Sequence, residues 1–67
     1  MEKFIERLKE LREENGLSQL QLAKEIGFGR TAICYWESGQ RVPSALAIIA
    51  LADYFNVTAD YLLGRTD

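Results

Sequence analysis

The sequence predicts an all-α fold built from five short helices. Apolar residues recur at helical spacing through most of its 67 residues, and no segment alternates with the two-residue period of a strand. Capping residues, glycines and a single proline divide the chain into pieces of one helix each. Since this length is typical of one domain, we expect residues 1–67 to form a single compact unit.

The first helix is expected over residues 2–14, and Asn15-Gly16 is expected to end it. Four apolar residues mark its inward face: Phe4, Ile5, Leu8 and Leu11. Arg12 lies about 40° from Leu8 around this helix, inside the apolar stripe.

The second helix has a complete start signal. Ser18 is the expected N-cap, and Gln21 three residues later completes a capping box. Leu17 and Leu22 stand at the two positions of a hydrophobic staple. Gly27 is expected to end the helix, because glycine tolerates the left-handed conformation found there.

The third helix is expected from Arg30 to Ser38, with Gly29 as its N-cap and Gly39 after its end. The Gly27-Phe28-Gly29 turn is tight enough to join helices two and three as a helix-turn-helix.

The last two helices follow a loop marked by Pro43. Ser44 is expected to cap a fourth helix that runs to Phe55, and Thr58 to cap a fifth that Gly64 ends. The fourth helix is apolar nearly all round, so we expect it at the centre of the domain. Four aromatic residues are expected in the core: Trp36, Tyr54, Phe55 and Tyr61.

The composition argues against several functions. The chain has no histidine and one cysteine, Cys34, which excludes a nucleophile–histidine triad and argues against a zinc site. We therefore expect neither an enzyme nor a cofactor or metal. The start MEKFIERLKE is too charged for a signal peptide, and the apolar run 45–52 is too short to span a bilayer. A cytoplasmic protein is expected.

The third helix has two different faces. Ile33 and Trp36 share the inward side, whereas Thr31 and Tyr35 point the opposite way. A DNA major groove admits one α-helix, whose N-terminal residues meet the base edges. The candidate base-reading residues are Arg30, Thr31, Cys34 and Tyr35. An ordinary amphipathic surface helix is the alternative interpretation of this pattern.

Candidate phosphate contacts lie on either side of that helix. Gln19 follows the N-cap of the second helix, where backbone N–H groups are open to an anion. Ser38, Gln40 and Arg41 lie at the end of the third helix and in the loop after it. Such groups bind phosphate and set the register without reading sequence.

Two charges fall on inward faces. Arg12 does so on the first helix, and Glu37 lies about 40° from Ile33 on the third. Because an unpaired buried charge is costly, we predict an Arg12–Glu37 ion pair that orients the third helix. The alternative is that both side chains extend to water.

RLKELREENGLSQLQLAKEIGFGRTAICYWESGQRVPS, followed by an apolar helix and TADYLLG, resembles the phage repressor and Cro-like (XRE) helix-turn-helix family. The resemblance covers about residues 4–64 and implies a lambda-repressor-like domain. It implies a phage or bacterial regulator, often a repressor, that binds a pseudo-palindromic double-stranded DNA operator as a homodimer. The resemblance also implies that the four candidate base-reading residues face the bases and that Arg12 pairs with Glu37. For Gln19 it implies a phosphate contact or support of a neighbouring base contact. Gly29 departs from the serine or threonine usual at its position.

Two questions stay open at this stage. The formal net charge of −2 favours a protein-binding module, such as an antitoxin-like or adaptor domain, over a DNA-binding one. Within residues 16–43, however, Lys24, Arg30 and Arg41 outnumber two glutamates. For a homodimer, we expect the contact in the C-terminal part, from Asn56 through Leu63.

Overall fold

The computed structural model describes residues 1–66 and contains five helices. They are α1 (Glu2–Glu14), α2 (Gln19–Ile26), α3 (Arg30–Ser38), α4 (Ala45–Phe55) and α5 (Ala59–Leu63). Each coincides with a predicted helix, and the described residues contain no strand. The prediction of an all-α, five-helix fold is therefore confirmed.

Side-chain caps fix where three of the helices begin. Ser18 Oγ accepts the backbone N–H of Gln21 at 3.0 Å, and the Gln21 side chain accepts the N–H of Ser18 at 2.7 Å. This is the predicted capping box, which satisfies two N–H groups that helix geometry leaves open. Ser44 and Thr58 cap α4 and α5 in the simpler way. Gly29 gives α3 no side-chain cap.

Every helix contributes to one apolar core. Its fully buried large side chains are Phe4, Leu8, Leu22, Ile33, Leu51 and Leu62. The α2 and α3 helices pack on each other, α1 packs on α3 and α5, and α4 packs on α2 and α5. Burial of this apolar surface is the main term that favours folding.

The α4 helix corrects one prediction. It does not lie at the centre of the domain, because Leu46 and Ile49 are 74% and 54% exposed whereas Leu51 is fully buried. A chain of this size has too few elements to surround a helix, and α2 and α5 cover only one side of α4.

Three of the four aromatic residues expected in the core are at least half-buried. Trp36 is buried, and Phe55 and Tyr61 are half-buried. Tyr54 corrects the prediction, since it is 39% exposed. Its ring lies edge-on to Phe55 at 5.1 Å, at the margin of the core.

A backbone hydrogen bond and an aromatic contact, both made by Phe28, hold the turn between α2 and α3. Gly27 adopts the left-handed conformation (φ +77°), and the N–H of Phe28 donates to the carbonyl of Ala23 at 2.9 Å. The Phe28 ring then packs edge-on against Trp36, with centroids 5.4 Å apart. The turn therefore fixes the angle between α2 and α3 through an aromatic contact.

The α5 helix is fastened to the start of α1. The Arg7 guanidinium lies 4.2 Å from the centre of the Tyr61 ring and donates to the carbonyls of Tyr61 and Thr66. Gly64 approaches α1 so closely that an added Cβ would overlap Cβ of Lys3. Among residues 1–66, no helix is both long and apolar enough to cross a membrane.

The two faces of α4 can be compared with one leucine-to-alanine substitution on each face. Leu51→Ala should lower the free energy of unfolding by about 2–5 kcal/mol, because it leaves a cavity in the core. Leu46→Ala, the matched control on the exposed face, should change it by less than about 0.5 kcal/mol. Urea unfolding of dilute protein, followed by circular dichroism, measures both values. Equal losses at the two positions would contradict this orientation of α4.

Candidate nucleic-acid interface

The α3 helix separates its anchoring residues from its outward residues. Ile33 and Trp36 are buried in the core. Arg30 and Thr31 are exposed, and Cys34 and Tyr35 are half-buried. Helical geometry brings these four predicted base-reading residues to the outward side of one short helix, where a ligand can reach them.

The chain folds back over the end of α3. The N–H groups of Gln40 and Arg41 both donate to the carbonyl of Tyr35, at 2.9 and 3.3 Å. The Ser38 hydroxyl donates to the same carbonyl at 3.2 Å. These bonds place the Arg41 guanidinium 5.5 Å from the centre of the Tyr35 ring. Three predicted phosphate contacts therefore surround the C-terminal end of the outward face.

An open cleft of about 370 Å³ joins this loop to α3. Its lining residues are Phe28, Thr31, Ala32, Tyr35, Trp36, Arg41, Val42 and Ser44. Hydroxyl groups and one guanidinium therefore stand around an apolar floor. Side chains of these types can bind the phosphates of a polyanion. Among residues 1–66, no group of three potential metal ligands comes together.

Beneath this face, Arg12 of α1 and Glu37 of α3 form a bidentate ion pair. Arg12 Nε lies 2.6 Å from Glu37 Oε2, and Arg12 Nη2 lies 3.1 Å from Oε1. The two side chains are only 15% and 4% exposed. This geometry is the one that offsets the desolvation of two charges, because both N–H···O bonds are charge-assisted.

Two further groups complete the pair. Arg12 Nη1 donates to the carbonyl of Leu17 at 2.9 Å, and Gln19 Nε2 donates to Glu37 Oε1 at 3.2 Å. The cluster Arg12–Glu37–Gln19 thus connects α1, the segment before α2, the first turn of α2 and the end of α3. Among the described residues, every buried side-chain polar atom has a hydrogen-bond partner.

The structure gives Gln19 a role that sequence analysis missed. One amide N–H is bound to Glu37, and an amide carries a second N–H that can donate to a phosphate. Its position one residue after the N-cap predicts only the phosphate contact. The inward charge of Glu37 indicates a second donor, since a bidentate arginine fills only two of the roughly four acceptor sites of a carboxylate.

Glu37 raises the pKa of Arg12, first through the hydrogen bond and then through its charge, while burial works in the opposite direction. A base whose pKa is raised on folding gives stability that is complete below its unfolded pKa. That stability is lost only as the pH rises through the folded value. The Arg12 charge is therefore constant at every pH near neutrality.

The pair also changes the electrostatics of the surface. Because Glu37 is buried and neutralised, the exposed charges of residues 16–43 are Lys24, Arg30 and Arg41 against Glu25 alone. The helix-turn-helix face is therefore more positive than the composition suggests. The acidic balance of the whole chain comes from the residues before and after this segment, 1–15 and 44–67.

Residues 5–67 match the protein family described as "Helix-turn-helix domain". Two bacterial relatives are similar along most of the chain. The HTH-type transcriptional activator BcrR of Enterococcus faecalis is 42% identical over 60 residues, which are 90% of this chain and 29% of that protein. The HTH-type transcriptional regulator AnsR of Bacillus subtilis is 41% identical over 61 residues, 91% of this chain and 53% of that protein.

A solved structure matches the fold as well. The solution structure of the SOS-response transcriptional repressor LexA from Eubacterium rectale superposes with a TM-score of 0.83 at 33% sequence identity. The match covers 90% of this chain and 64% of that one. The chain thus spans 29% and 53% of the length of these two relatives and 64% of the solved chain.

The buried ion pair can be tested by removing one charge. Glu37→Gln leaves the Arg12 guanidinium largely buried without a counter-charge, so we expect a loss of about 2–4 kcal/mol in unfolding free energy. Glu6→Gln is the matched control. It removes a carboxylate whose contact with Lys3 is long and exposed, and it should cost less than about 0.5 kcal/mol. Thermal unfolding of both variants provides the measurement, and equal melting temperatures would refute the structural role of the pair.

Proposed function

Because this chain belongs to the helix-turn-helix domain family, we propose that it is a DNA-binding transcriptional regulator. In this proposal α3 enters the major groove of a pseudo-palindromic operator, and two copies occupy the two half-sites. One observation carries it: Thr31 and Tyr35 are accessible on the side of α3 opposite Ile33 and Trp36. A helix anchored on one side and polar on the other can fill a groove without unfolding.

Four residues are assigned to the bases. Arg30 lies in the first turn of α3, where its guanidinium can donate two bonds to one guanine. Thr31 offers a hydroxyl and a methyl group, and Tyr35, one turn later, offers a hydroxyl. Cys34 between them is half-buried and acts as a small apolar contact for a thymine methyl.

Phosphate contacts are assigned to both ends of the motif. Gln19 and the open N–H groups of the first turn of α2 bind one strand. Ser38, Gln40 and Arg41 bind the other, since all three are exposed beside the Tyr35 end of α3. The Arg12–Glu37 pair contacts no DNA in this proposal. It holds Gln19 and α3 in a fixed relation, so that phosphate and base contacts form in the same register.

Two copies are proposed because one helix reads few base pairs. Each mismatch discriminates by roughly 1–3 kcal/mol, so a single half-site is poorly distinguished from random DNA. Half-sites about one helical turn apart double the readout. We propose repression as the outcome, because a dimer bound on a promoter excludes other proteins from it. The name of BcrR states activation. A promoter–reporter assay, with the selected site in both orientations, decides whether this chain lowers or raises transcription.

A protein-binding module is the second candidate, and the net charge of −2 favours it. Salt dependence separates the two. Binding through several phosphates releases counterions and must weaken steeply with salt, whereas docking on an apolar protein surface changes little.

Selection of bound sites from random duplex DNA tests the proposal directly. The expected result is an enriched motif with two inverted half-sites. An absence of enrichment at low salt would reject DNA recognition and favour the protein-binding module.

Two arginines provide a matched test of the assignments. Arg30→Ala should cost about 1–3 kcal/mol on the selected site and relax preference at one position in each half-site. Arg41→Ala should instead weaken all sequences about equally and lower the salt slope by about one. Fluorescence anisotropy on single-base operator variants measures both effects. A uniform loss for Arg30→Ala would reassign that side chain to phosphate.

A further inference from the structure

Tyr35 contacts the loop after α3 in two separate ways. Its backbone carbonyl accepts the N–H groups of Gln40 and Arg41 and the hydroxyl of Ser38. Its ring lies beneath the Arg41 guanidinium, whose central carbon is 5.5 Å from the ring centre. A cation within about 6 Å of the centre of an aromatic face is attracted by the electrons of the ring. The carbonyl therefore positions the backbone of the loop, and the ring positions the charged end of Arg41.

The guanidinium of Arg41 has no oxygen partner within residues 1–66. Its side chain is exposed and takes part in no ion pair or hydrogen bond of this part of the chain. Three other arginines each bind a carbonyl or carboxylate oxygen: Arg7, Arg12 and Arg65. An exposed arginine without a partner samples many rotamers, and binding a ligand then costs conformational entropy. The Tyr35 ring is the one described group that limits where the Arg41 charge lies.

We propose that Tyr35 is a positioning residue for Arg41, whose guanidinium its ring holds beside the end of α3 in the place where a DNA phosphate binds. The proposal rests on the proposed function, in which Arg41 contacts phosphate, and it gives Tyr35 a role besides its contact with a base. A carboxylate partner would use N–H donors of the guanidinium and neutralise its charge, whereas an uncharged ring leaves the charge available to phosphate. Because Arg41 is ordered before DNA arrives, less entropy is lost on binding.

The two roles belong to different parts of the Tyr35 side chain. The hydroxyl can form a hydrogen bond with one base, so its contribution depends on the DNA sequence. The ring acts through Arg41 on a phosphate, which is the same in every sequence. Thr31, Tyr35 and Arg41 line one cleft, so the base and phosphate contacts are neighbours. Loss of the hydroxyl should therefore change base preference, whereas loss of the ring should weaken binding to all sequences alike.

Two substitutions separate the hydroxyl from the ring. Tyr35→Phe removes the hydroxyl and keeps the ring, and Tyr35→Leu also removes the ring but keeps an apolar side chain with high helix propensity. Neither substitution alters the backbone carbonyl that holds the loop, so the loop should stay in place. Thermal unfolding followed by circular dichroism checks that both variants are folded.

Fluorescence anisotropy on a duplex with one half-site tests the positioning role, since each complex then contains one Tyr35–Arg41 pair. Tyr35→Leu should have a Kd about two- to fivefold higher than Tyr35→Phe, the effect of an exposed cation–ring contact. The ratio should be the same on every single-base variant of the half-site. When Arg41→Ala is added to both variants, the ratio should fall to about one, because no guanidinium remains to be positioned.

Arg30→Ala is the matched control for this comparison. Arg30 lies about 140° from Tyr35 around α3, so the ratio between the two Tyr35 variants should persist when Arg30→Ala is added to both. A ratio that also persists with Arg41→Ala would overturn the proposal, because the ring would then act on the structure of α3 and not through Arg41.

Side-chain NMR without DNA tests the contact itself. The δ protons of Arg41 should resonate upfield of those of Arg30, because the face of an aromatic ring shields nearby protons. Tyr35→Leu should remove this difference, and Tyr35→Phe should keep it. Equal shifts of the two arginines in the wild type would overturn the proposal even if a variant failed to fold.

The two measurements distinguish failure of this proposal from failure of the proposed function. A wild type that binds no DNA would overturn the proposed function together with the positioning role of Tyr35. A wild type that selects a DNA site but shows no coupling between Tyr35 and Arg41 would overturn the positioning role alone.

Discussion

The arrangement of the helix-turn-helix depends on one ion pair, Arg12–Glu37, and on the two groups that complete it. Arg12 belongs to the first helix and Glu37 to the end of the third, and Gln19 joins them from the second. Apolar packing alone tolerates small slides between helices, since many contacts of similar energy are available. A bidentate ion pair in a largely buried site does not tolerate such slides, because a shift of one ångström leaves a buried charge without its partner. The cluster therefore gives the three helices one relative position.

This positioning matters because α3 is a short helix with few anchors. Ile33 and Trp36 hold its inward side, Phe28 supports Trp36 at the turn, and Glu37 holds its end. The side chains on the outward side of α3 are therefore not needed to anchor the helix in the core. They can instead have the chemistry that binding a ligand requires. The same division explains how an acidic chain can present a positive surface: Glu37 of α3 faces inward and pairs with Arg12, whereas Arg30 and Arg41 are exposed.

Much of this could be predicted from the sequence, because its signals are local. Caps at Ser18, Ser44 and Thr58 and the left-handed glycines mark helix ends within a few residues, and they gave all five helices. The Arg12–Glu37 contact could be anticipated since each charge lay on an inward face. The exposure of Leu46 and Tyr54 could not. The burial of an apolar side chain depends on which other elements pack against it in the fold, and composition alone does not predict that packing. The hydrogen bond from Gln19 to Glu37 likewise could not be predicted. It depends on how α2 packs on α3, whereas the spacing of apolar residues describes each helix only by itself.

The fastening of α5 to α1 has a consequence for the layout of the whole domain. Arg7 holds the carbonyls of Tyr61 and Thr66, and Gly64 lies against Lys3, so the first and last described turns are neighbours. Arg12 lies on the same helix as Lys3 but nine residues on, about 14 Å away along the axis. A change in either of these two turns is therefore felt by the other, whereas the cluster that orients α3 lies remote from both.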